Sequence, residues 1–421
     1  MSSAEDRFSR ISALRPAPVG AAAGNPSGIL LPRNAERLAE LIDAERRANP
    51  FGEHLVVRRW FASPQPCVVG PRARWLLASP GTEDVIDPDQ WVFLDTETTG
   101  LAGGTGTYAF LGGLAWWEGG GLATEQFFMR DHRDEASLLS ELTVPLSQRR
   151  VVVTYNGKSF DWPLLETRFR MTRVGTLQKP AAHIDLLHPA RRLWQLRVKS
   201  LALTELERQI LAIERGPDVP SQLIPARYFD YLRGGPAEPI AEVFEHNRMD
   251  LRGLAALATR VVSLYEQPES DQLDGAELYG LSRLLERRGE RECAGRMFER
   301  ALACGLPETA DRTARRELAL LARRLRDYRR ASQRWQELLG DTGDGLMAYE
   351  QLAIYYEHHA GEVDRAASLT REALVRLYES ARSGRLSPVA YRRWHASFQH
   401  RLNRLTAKAA ANRRNRRGQP E

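Results

Sequence analysis

The sequence predicts a mixed α/β domain followed by an all-α domain, and three observations support this division. From Trp91 to about residue 130, short β-branched and aromatic runs alternate with glycines and polar turns, which is typical of neighbouring strands. Strands and helices then alternate to about residue 268, which indicates parallel strands added to the same sheet. From residue 272 onward the pattern is helical throughout.

Bulk composition narrows the class of protein. The 421 residues predict two to three domains, and a composition of 43% apolar and 27% charged residues is that of a globular protein. No apolar run approaches the ~20 residues that cross a bilayer, so we expect no membrane association. The N-terminus lacks the apolar core of a secretory signal, so we expect a cytoplasmic protein. Three cysteines without a CxxC pair support neither a disulfide framework nor a cysteine zinc site.

The first ninety residues precede the strand-rich region. We expect residues 1–30, rich in Ser, Pro, Ala and Gly, to be a flexible leader. Residues 31–90 are expected to pack on the α/β domain. In that segment RNAERLAELIDAERRANPFG predicts a helix that Asn-Pro stops, and HLVVRRWFA predicts a strand.

Residues 91–268 form the predicted α/β domain. The runs WVFL, TYAFLGGLAWWE and LATEQFFM predict three strands of an antiparallel meander. A helix near residues 135–148, the strand RVVVTY and a helix opening at SFDWPLLETRFR follow. A long helix over roughly residues 240–265 is expected to close the domain.

Residues 272–380 contain three helical stretches of similar pattern. Each stretch has an alanine and, four positions later, a larger residue. These pairs are Ala294 and Phe298, Ala331 and Trp335, and Ala366 and Thr370. A small residue where two helices cross, recurring about every 34 residues, resembles tetratricopeptide repeats. Residues 381–421 are expected to form a capping helix and a basic tail.

The candidate site begins with two carboxylates in WVFLDTETTG. Side chains two positions apart in a strand point to the same face, so Asp95 and Glu97 are expected to lie side by side. A bound divalent cation would offset their repulsion, because Mg²⁺ and Mn²⁺ prefer carboxylate oxygens. Asp161 follows the strand VVVTYNGKSF, and Asp250 lies in the long helix with His246 one turn earlier. We therefore expect four carboxylates and an imidazole to converge.

Four blocks in this order, LDTETTGLAGGTGTYAFLGG, TYNGKSFDWPLLETRF, HIDLLHPARRLW and HNRMDL, resemble the bacterial RNase H-like (DEDD-type, YprB-like) exonuclease family, which includes mitomycin-damage repair exonucleases. The resemblance spans about residues 50–265, and the helical C-terminus is also similar. It implies an α/β RNase H-like fold with a mixed five-stranded sheet flanked by helices, followed by an all-α tetratricopeptide-like helical repeat domain.

The resemblance also implies an activity and its residues. It implies a metal-dependent 3′–5′ exonuclease that hydrolyses DNA with two Mg²⁺ or Mn²⁺ ions. His246 would be the proton acceptor, although the histidine subclass of the family places this residue one position earlier, where this sequence has Glu245. Substrate contacts would come from Thr98, Thr99, Gly100, Asn156 and Lys158. The metal ligands would be Asp95, Glu97, Asp161 and Asp250.

Several alternatives stay open. His246 is either catalytic or a packing residue, and the glycines from Gly100 to Gly106 either approach a nucleotide or form a tight turn. Asp185 is expected to cap a helix or to support the site from behind. Between Arg168 and Lys199, eight basic residues stand against one acid, which suits either a nucleic-acid backbone or a solvated helix.

The expected partners are a nucleic acid, most simply DNA with a 3′ end, and a protein such as a repair helicase bound through the helical repeats. DNA repair is the expected setting. The alternatives are a noncatalytic repeat adaptor that binds nucleic acid, a RuvC-like endonuclease, and an RNA exonuclease on the same fold.

Overall fold

A computed structural model describes residues 33–62, 69–77, 87–100, 106–269, 273–340 and 345–417. The predicted leader of residues 1–30 lies outside this part of the chain. No helix in the described residues is long and apolar enough to span a membrane.

A seven-stranded mixed sheet forms the first half of the molecule. Its strands are β1 (Glu45–Asn49), β2 (Gly52–Ala62), β3 (Trp91–Thr98), β4 (Ala109–Glu118), β5 (Gly121–Phe128), β6 (Val151–Thr154) and β7 (Ala182–Asp185). They lie in the order β1-β2-β5-β4-β3-β6-β7. β6 is parallel to β3 and β7 is parallel to β6, whereas all other pairs are antiparallel. The predicted meander and the parallel additions are confirmed.

The prediction of five strands is wrong, because the N-terminal segment adds a hairpin to the sheet. The predicted helix ends early, as α1 (Arg33–Leu41), and the next residues form β1. β2 then pairs along β5 from Leu55 to Ala62, so the segment extends the sheet instead of only packing on it. The sequence of β1 is ERRAN, which has no apolar alternation, and strand pairing with β2 therefore overrides its local preference.

Seven further helices accompany the sheet. They are α2 (Pro71–Leu77), α3 (Glu135–Gln148), α4 (Asp161–Thr172), α5 (Leu187–Trp194), α6 (Leu203–Gln209), α7 (Ile224–Leu232) and α8 (Glu238–Glu266). The long helix α8 contributes to the apolar cores on both sides of the sheet, through Val243 and Phe244 in one and Leu254 and Val261 in the other. Burying a large apolar side chain stabilises the fold by roughly 1.5–3 kcal/mol, so α8 fixes the two layers together.

The second half of the described chain is helical. Its helices are α9 (Gly275–Arg288), α10 (Arg291–Cys304), α11 (Glu308–Arg324), α12 (Tyr328–Glu337), α13 (Gly345–His358), α14 (Val363–Arg382) and α15 (Pro388–Arg417). The six recurring positions lie on α10, α12 and α14, and all six side chains are buried. Their burial fits helix pairs that cross at small residues, and the tetratricopeptide assignment stays a prediction. Phe398 and Leu405 of α15 are buried against the preceding helices.

Candidate active site

The site begins at the end of β3, beside the ends of the parallel strands β6 and β7. Asp95 pairs across the ladder with Gly113 of β4, and Glu97 pairs with Leu111. A register shift follows Glu97, so the strand ends as a bulge directly after the two carboxylates. Glu97 is buried, whereas Asp95 is half-buried.

Asp161 is brought to this edge by α4, which begins at that residue. The hydroxyl of Thr96 donates a hydrogen bond to Asp161 Oδ1 over 2.5 Å and so ties the start of α4 to β3. Asp185, at the end of β7, accepts hydrogen bonds from the backbone N–H groups of Asn156 (2.8 Å) and Lys158 (3.2 Å). It therefore holds the loop that leads to Asp161, as the expectation of a supporting role describes.

Helix α8 supplies the other side of the site. His246 Nε2 lies 4.0 Å from Glu97 Oε1 and 3.7 Å from Asp250 Oδ2. The adjacent residue, Asn247, is fully buried and donates from Nδ2 to Asp95 Oδ2 over 2.7 Å. Gln126 of β5 donates in turn to Asn247 Oδ1 over 2.9 Å, which fixes the direction of the amide.

Gly113 makes this approach of α8 possible. A Cβ atom at Gly113 would stand 2.2 Å from Oδ1 of Asn247, closer than atoms can pack. Only glycine leaves room for the asparagine that contacts Asp95. The missing side chain at Gly113 of β4 thus allows Asn247 to hold Asp95 of the neighbouring strand in position.

The carboxylates strongly disfavour each other's charge. Burial, followed by the charges of Asp250, Glu97 and Asp161, raises the pKa of Asp95 well above its usual range. Burial, then Asp250 and Asp161, raises the pKa of Glu97 to about 8. Burial also raises the pKa of Asp161. The structure therefore brings the four predicted carboxylates into one electrostatic cluster.

Arg215 supplies positive charge at one side of the cluster. Its guanidinium contacts Asp250, the buried carboxylate of Glu207 (2.7 Å) and Asp218 (3.0 Å). Interactions with Glu207 and Asp250 outweigh the effect of burial and raise the pKa of Arg215. The positive charge of Arg215 thus offsets the negative charge of Asp250. The pKa values of Asp95 and Glu97 stay raised even with Arg215 nearby.

His246 is oriented by an acid that lies outside the four blocks. Its Nδ1 is 2.7 Å from Asp218 Oδ1, so the other ring nitrogen, Nε2, faces Glu97 and Asp250. Burial alone would raise the pKa of Asp218, but hydrogen bonds from His246 and Arg215 outweigh it and lower the pKa. This carboxylate–imidazole pair is the arrangement that fixes a histidine in one orientation.

The donor set fits hard divalent cations. Four carboxylates gathered in one place, three of which (Asp95, Glu97 and Asp161) have raised pKa values, supply the oxygen ligands and the negative charge that Mg²⁺ or Mn²⁺ would satisfy. Among the described residues, no group of three or more His, Cys, Asp or Glu side chains is arranged to hold a metal ion as it stands, and three of the four carboxylates are bonded to other side chains. Asp161 is bonded to Thr96, Asp95 to Asn247, and Asp250 to Arg215.

A cavity of about 600 Å³ opens beside the carboxylates. Asp95 and Asp161 line it together with Tyr155 and Phe160, and Phe160 is 57% exposed. Of the predicted substrate-binding residues, the cavity wall includes Thr98, Gly100 and Asn156.

Thr99 and Lys158 do not line this cavity. The hydroxyl of Thr99 accepts a hydrogen bond from the N–H of Tyr108 (2.9 Å), and Lys158 is exposed. Thr99 therefore closes the turn after β3.

Four residues of the site were missed from the sequence. Asn247 stands inside the HNRMDL block, so its position next to His246 was the available signal. Gly113 lies in the glycine pair of β4 and gave no sign of its partner. Asp218 and Arg215 lie in the loop between α6 and α7, where no pattern in the sequence identified them.

Comparisons with known proteins identify the family of the chain. A family model described as RNase_H superfamily matches residues 92–262, the span from β3 to α8 that carries all five predicted catalytic residues. Over 289 residues the chain is 30% identical to the protein YprB of Bacillus subtilis (strain 168), and the match covers 67% of this chain and 68% of YprB. The chain therefore belongs to the RNase H superfamily. This membership indicates a nuclease with a nucleic-acid substrate, and nucleases of this class typically use divalent metals.

Proposed function

We propose that this protein is a metal-dependent 3′–5′ exonuclease that removes nucleoside 5′-monophosphates from DNA. The observation that carries the proposal is the convergence of Asp95, Glu97, Asp161 and Asp250 beside an imidazole that Asp218 holds in place. The choice of DNA, the 3′ end and a role in DNA repair follow the family resemblance.

Each group has a separate task in the proposed reaction. The four carboxylates would hold two Mg²⁺ or Mn²⁺ ions, and such ions would stabilise negative charge on the phosphate and on the leaving 3′ oxygen. Thr98, Gly100 and Asn156 line the cavity in which the terminal nucleotide would lie. Asn247 keeps Asp95 in position through its 2.7 Å hydrogen bond.

His246 is the proposed proton acceptor. Water attacks the terminal phosphorus, the bond from phosphorus to the 3′ oxygen breaks, and the proton of the water passes to Nε2 of His246. Nε2 is free for this role because Nδ1 is paired with Asp218. The 3′ oxygen leaves as the hydroxyl of the shortened strand after it takes a proton from solvent.

The helical repeats complete the proposal. We assign residues 91–268 to the nuclease domain and residues 272–380 to a tetratricopeptide-like domain, with residues 31–90 attached to the nuclease sheet. The repeats would bind a protein partner, such as a repair helicase, that delivers the nuclease to its substrate.

Stepwise hydrolysis of end-labelled oligonucleotides tests the function. The wild-type chain with Mn²⁺ should shorten a 5′-labelled DNA strand from its 3′ end, and neither a chelator-treated sample nor Asp250→Asn should do so. Internal cuts would indicate an endonuclease, and preferential loss of a matched RNA strand would indicate an RNA exonuclease. No metal-dependent product from any strand would contradict the proposal and favour a noncatalytic adaptor.

A further inference from the structure

A basic groove lies between the nuclease half and the helical half of the molecule. It is a cavity of about 550 Å³ between α5 on one side and α9 and α11 on the other. Arg191 and Arg192 of α5 face Arg283 and Arg287 of α9 across it, and no acidic side chain lines it. We call these four arginines, with the cavity between them, the basic groove.

The four guanidinium groups are exposed and are left without acidic partners. Within the described ranges, none of the four forms an ion pair, and Arg283 only lies over the ring of Tyr279 at 5.8 Å. Elsewhere on the helices arginines are paired, as Arg315 is with Asp311 and Arg330 with Glu299. Four unpaired positive charges around one cavity repel each other, and a polyanion would remove that repulsion.

The walls of the basic groove are fixed relative to each other. A Cβ atom at Gly280 of α9 would stand 2.3 Å from the backbone oxygen of Arg192, so the two helices touch through their backbones. Beside this contact, the indole of Trp194 donates to the buried carboxylate of Glu277 over 2.9 Å. A site with rigid walls loses less conformational entropy when a ligand binds, which favours affinity.

The basic groove begins close to the candidate active site. α5 starts two residues after Asp185, which holds the loop of Asn156 and Lys158. Tyr155 lines the active-site cavity, and burial raises the pKa of its hydroxyl while the charge of Arg191 opposes that rise. Arg191 is therefore near enough to act electrostatically on a residue of the cavity wall.

The chemistry of the lining identifies the ligand. Guanidinium groups bind phosphate through paired hydrogen bonds, and Thr309 and Thr313 add hydroxyl groups to the same wall. The exposed side chain of Leu196 offers apolar surface to sugars or bases. A cavity of this size accommodates a drug-sized group, about one or two nucleotides, and not a duplex.

We propose that the basic groove binds the phosphate backbone of a single-stranded nucleic acid whose 3′ end occupies the active-site cavity. This inference rests on the proposed nuclease function. α5 is about 12 Å long at 1.5 Å per residue, so a strand leaving the cavity along it reaches Arg191 and Arg192 within a few nucleotides. The groove then holds the substrate while its end is shortened.

Binding of a fluorescent single-stranded DNA in the presence of chelator tests the groove without any hydrolysis. The test variant changes all four groove arginines to Gln, and a second variant changes them to Lys, which keeps the charge. The matched control carries four exposed arginines of the helical half changed to Gln, namely Arg329, Arg371, Arg392 and Arg393. Circular dichroism and thermal unfolding confirm that each variant is folded.

The Gln variant should bind ~10-fold or more weakly at ~0.1 M salt, and the slope of log K against log[salt] should shrink by about two to three. The Lys variant should recover most of the affinity, and the control should bind as the wild type does. Equal losses of DNA affinity in the Gln variant and the control, or no loss in either, would overturn the proposal that the basic groove binds the strand. Equally tight binding of poly-glutamate that depends on the same arginines would also overturn it, because the site would then not be specific for phosphates.

Hydrolysis separates this inference from the function on which it rests. With Mn²⁺, the Gln variant should cleave a dinucleotide, which is too short to reach the basic groove, as fast as the wild type, and a 20-nucleotide strand more slowly at subsaturating concentration. If the wild type cleaves neither strand, the proposed function fails. If the wild type cleaves both strands and the Gln variant is unchanged on both, the groove fails and the function stands.

Discussion

Asp95 is a carboxyl group that the fold surrounds with three more. Its hydrogen bond from Asn247 favours the charged form, but burial and the charges of Asp250, Glu97 and Asp161 oppose it more strongly and raise its pKa. An arrangement that is unfavourable in the metal-free protein becomes favourable when cations neutralise it. Such tension between stability and site chemistry is typical of functional centres.

Asp95→Asn should stabilise the metal-free protein. A raised pKa means that the folded state holds a proton more tightly than the unfolded state, so the aspartate costs stability as pH rises above its unfolded value near ~3.9. Asn cannot ionise, so the melting temperature of the variant should exceed that of the wild type at pH 8, with the difference vanishing near pH 4. Thermal unfolding in chelator measures this.

Asp43→Asn is the matched control, because Asp43 is exposed and lies in the turn before β1, outside the carboxylate cluster. It should leave the melting temperature nearly unchanged. A metal-free Asp95→Asn that melts below the wild type at pH 8 would show that the buried charge is already compensated.

Asp218→Ala should slow hydrolysis by ~10-fold, because His246 would lose the partner that orients it. His246→Ala should lose ~10² or more, the usual effect of removing a general base. The double variant should be no slower than His246→Ala alone, since the two residues act as a unit. Single-turnover hydrolysis rates of the two single variants and the double variant measure this coupling. Additive losses would show that Asp218 does not act through His246.

Packing between β4 and α8 is what delivers Asn247 to Asp95. Gly113 lies opposite Asp95 in the strand ladder and leaves the space into which the Asn247 amide fits. The hairpin β1–β2 does not take part in this contact. It pairs with β5, whereas the carboxylates of β3 lie beside β4 and β6.

Gly113→Ala should lower the free energy of unfolding by about 1–3 kcal/mol through overpacking, and should slow hydrolysis by displacing Asn247. Asn247→Ala in the same chain should restore stability by removing the clash without restoring the rate. Urea unfolding and hydrolysis rates separate the two effects. Gly340→Ala is the control, because Gly340 lies in the helical half and a Cβ there meets nothing within 4 Å. Unchanged stability and rate in Gly113→Ala would refute this role.

Local patterns predicted most elements and the carboxylate cluster, and they failed where distant residues decide the outcome. The blocks around Asp95, Asp161 and Asp250 predict a strand or a helix from their own residues, and the structure has those elements at these positions. β1 has no apolar alternation and becomes a strand only because β2 pairs with it. Asp218 lies in an irregular loop, and its contact with His246 spans 28 positions, so short-range patterns do not report it.

The two halves of the molecule are joined through a buried acid. Glu277 of α9 accepts from the indole of Trp194 (2.9 Å) and pairs with Arg260 of α8 (3.3 Å) and Arg197 (3.4 Å). It also forms the capping box that starts α9. The helical half is thus anchored to the nuclease half, which keeps the basic groove aligned with the cavity.

Glu277→Ala should destabilise the whole chain by about 1–3 kcal/mol, because the buried indole N–H of Trp194 would lose its acceptor and the guanidinium groups of Arg260 and Arg197 would lose their partner. Glu379→Ala, which removes an exposed ion pair with Arg376, should cost less than about 1 kcal/mol. Urea unfolding compares the two variants. If Glu277→Ala costs no more than Glu379→Ala, the joint between the halves does not depend on this acid.

Binding of Mn²⁺ by the full chain tests the shared carboxylate site most directly. Electron paramagnetic resonance measures how much free Mn²⁺ disappears when protein is added. The wild type should take up the ion, Asp95→Asn and Asp250→Asn should bind it at least ~10-fold more weakly, and Asp43→Asn should match the wild type. Equal uptake by the wild type and by both site variants would contradict a cation held jointly by these side chains.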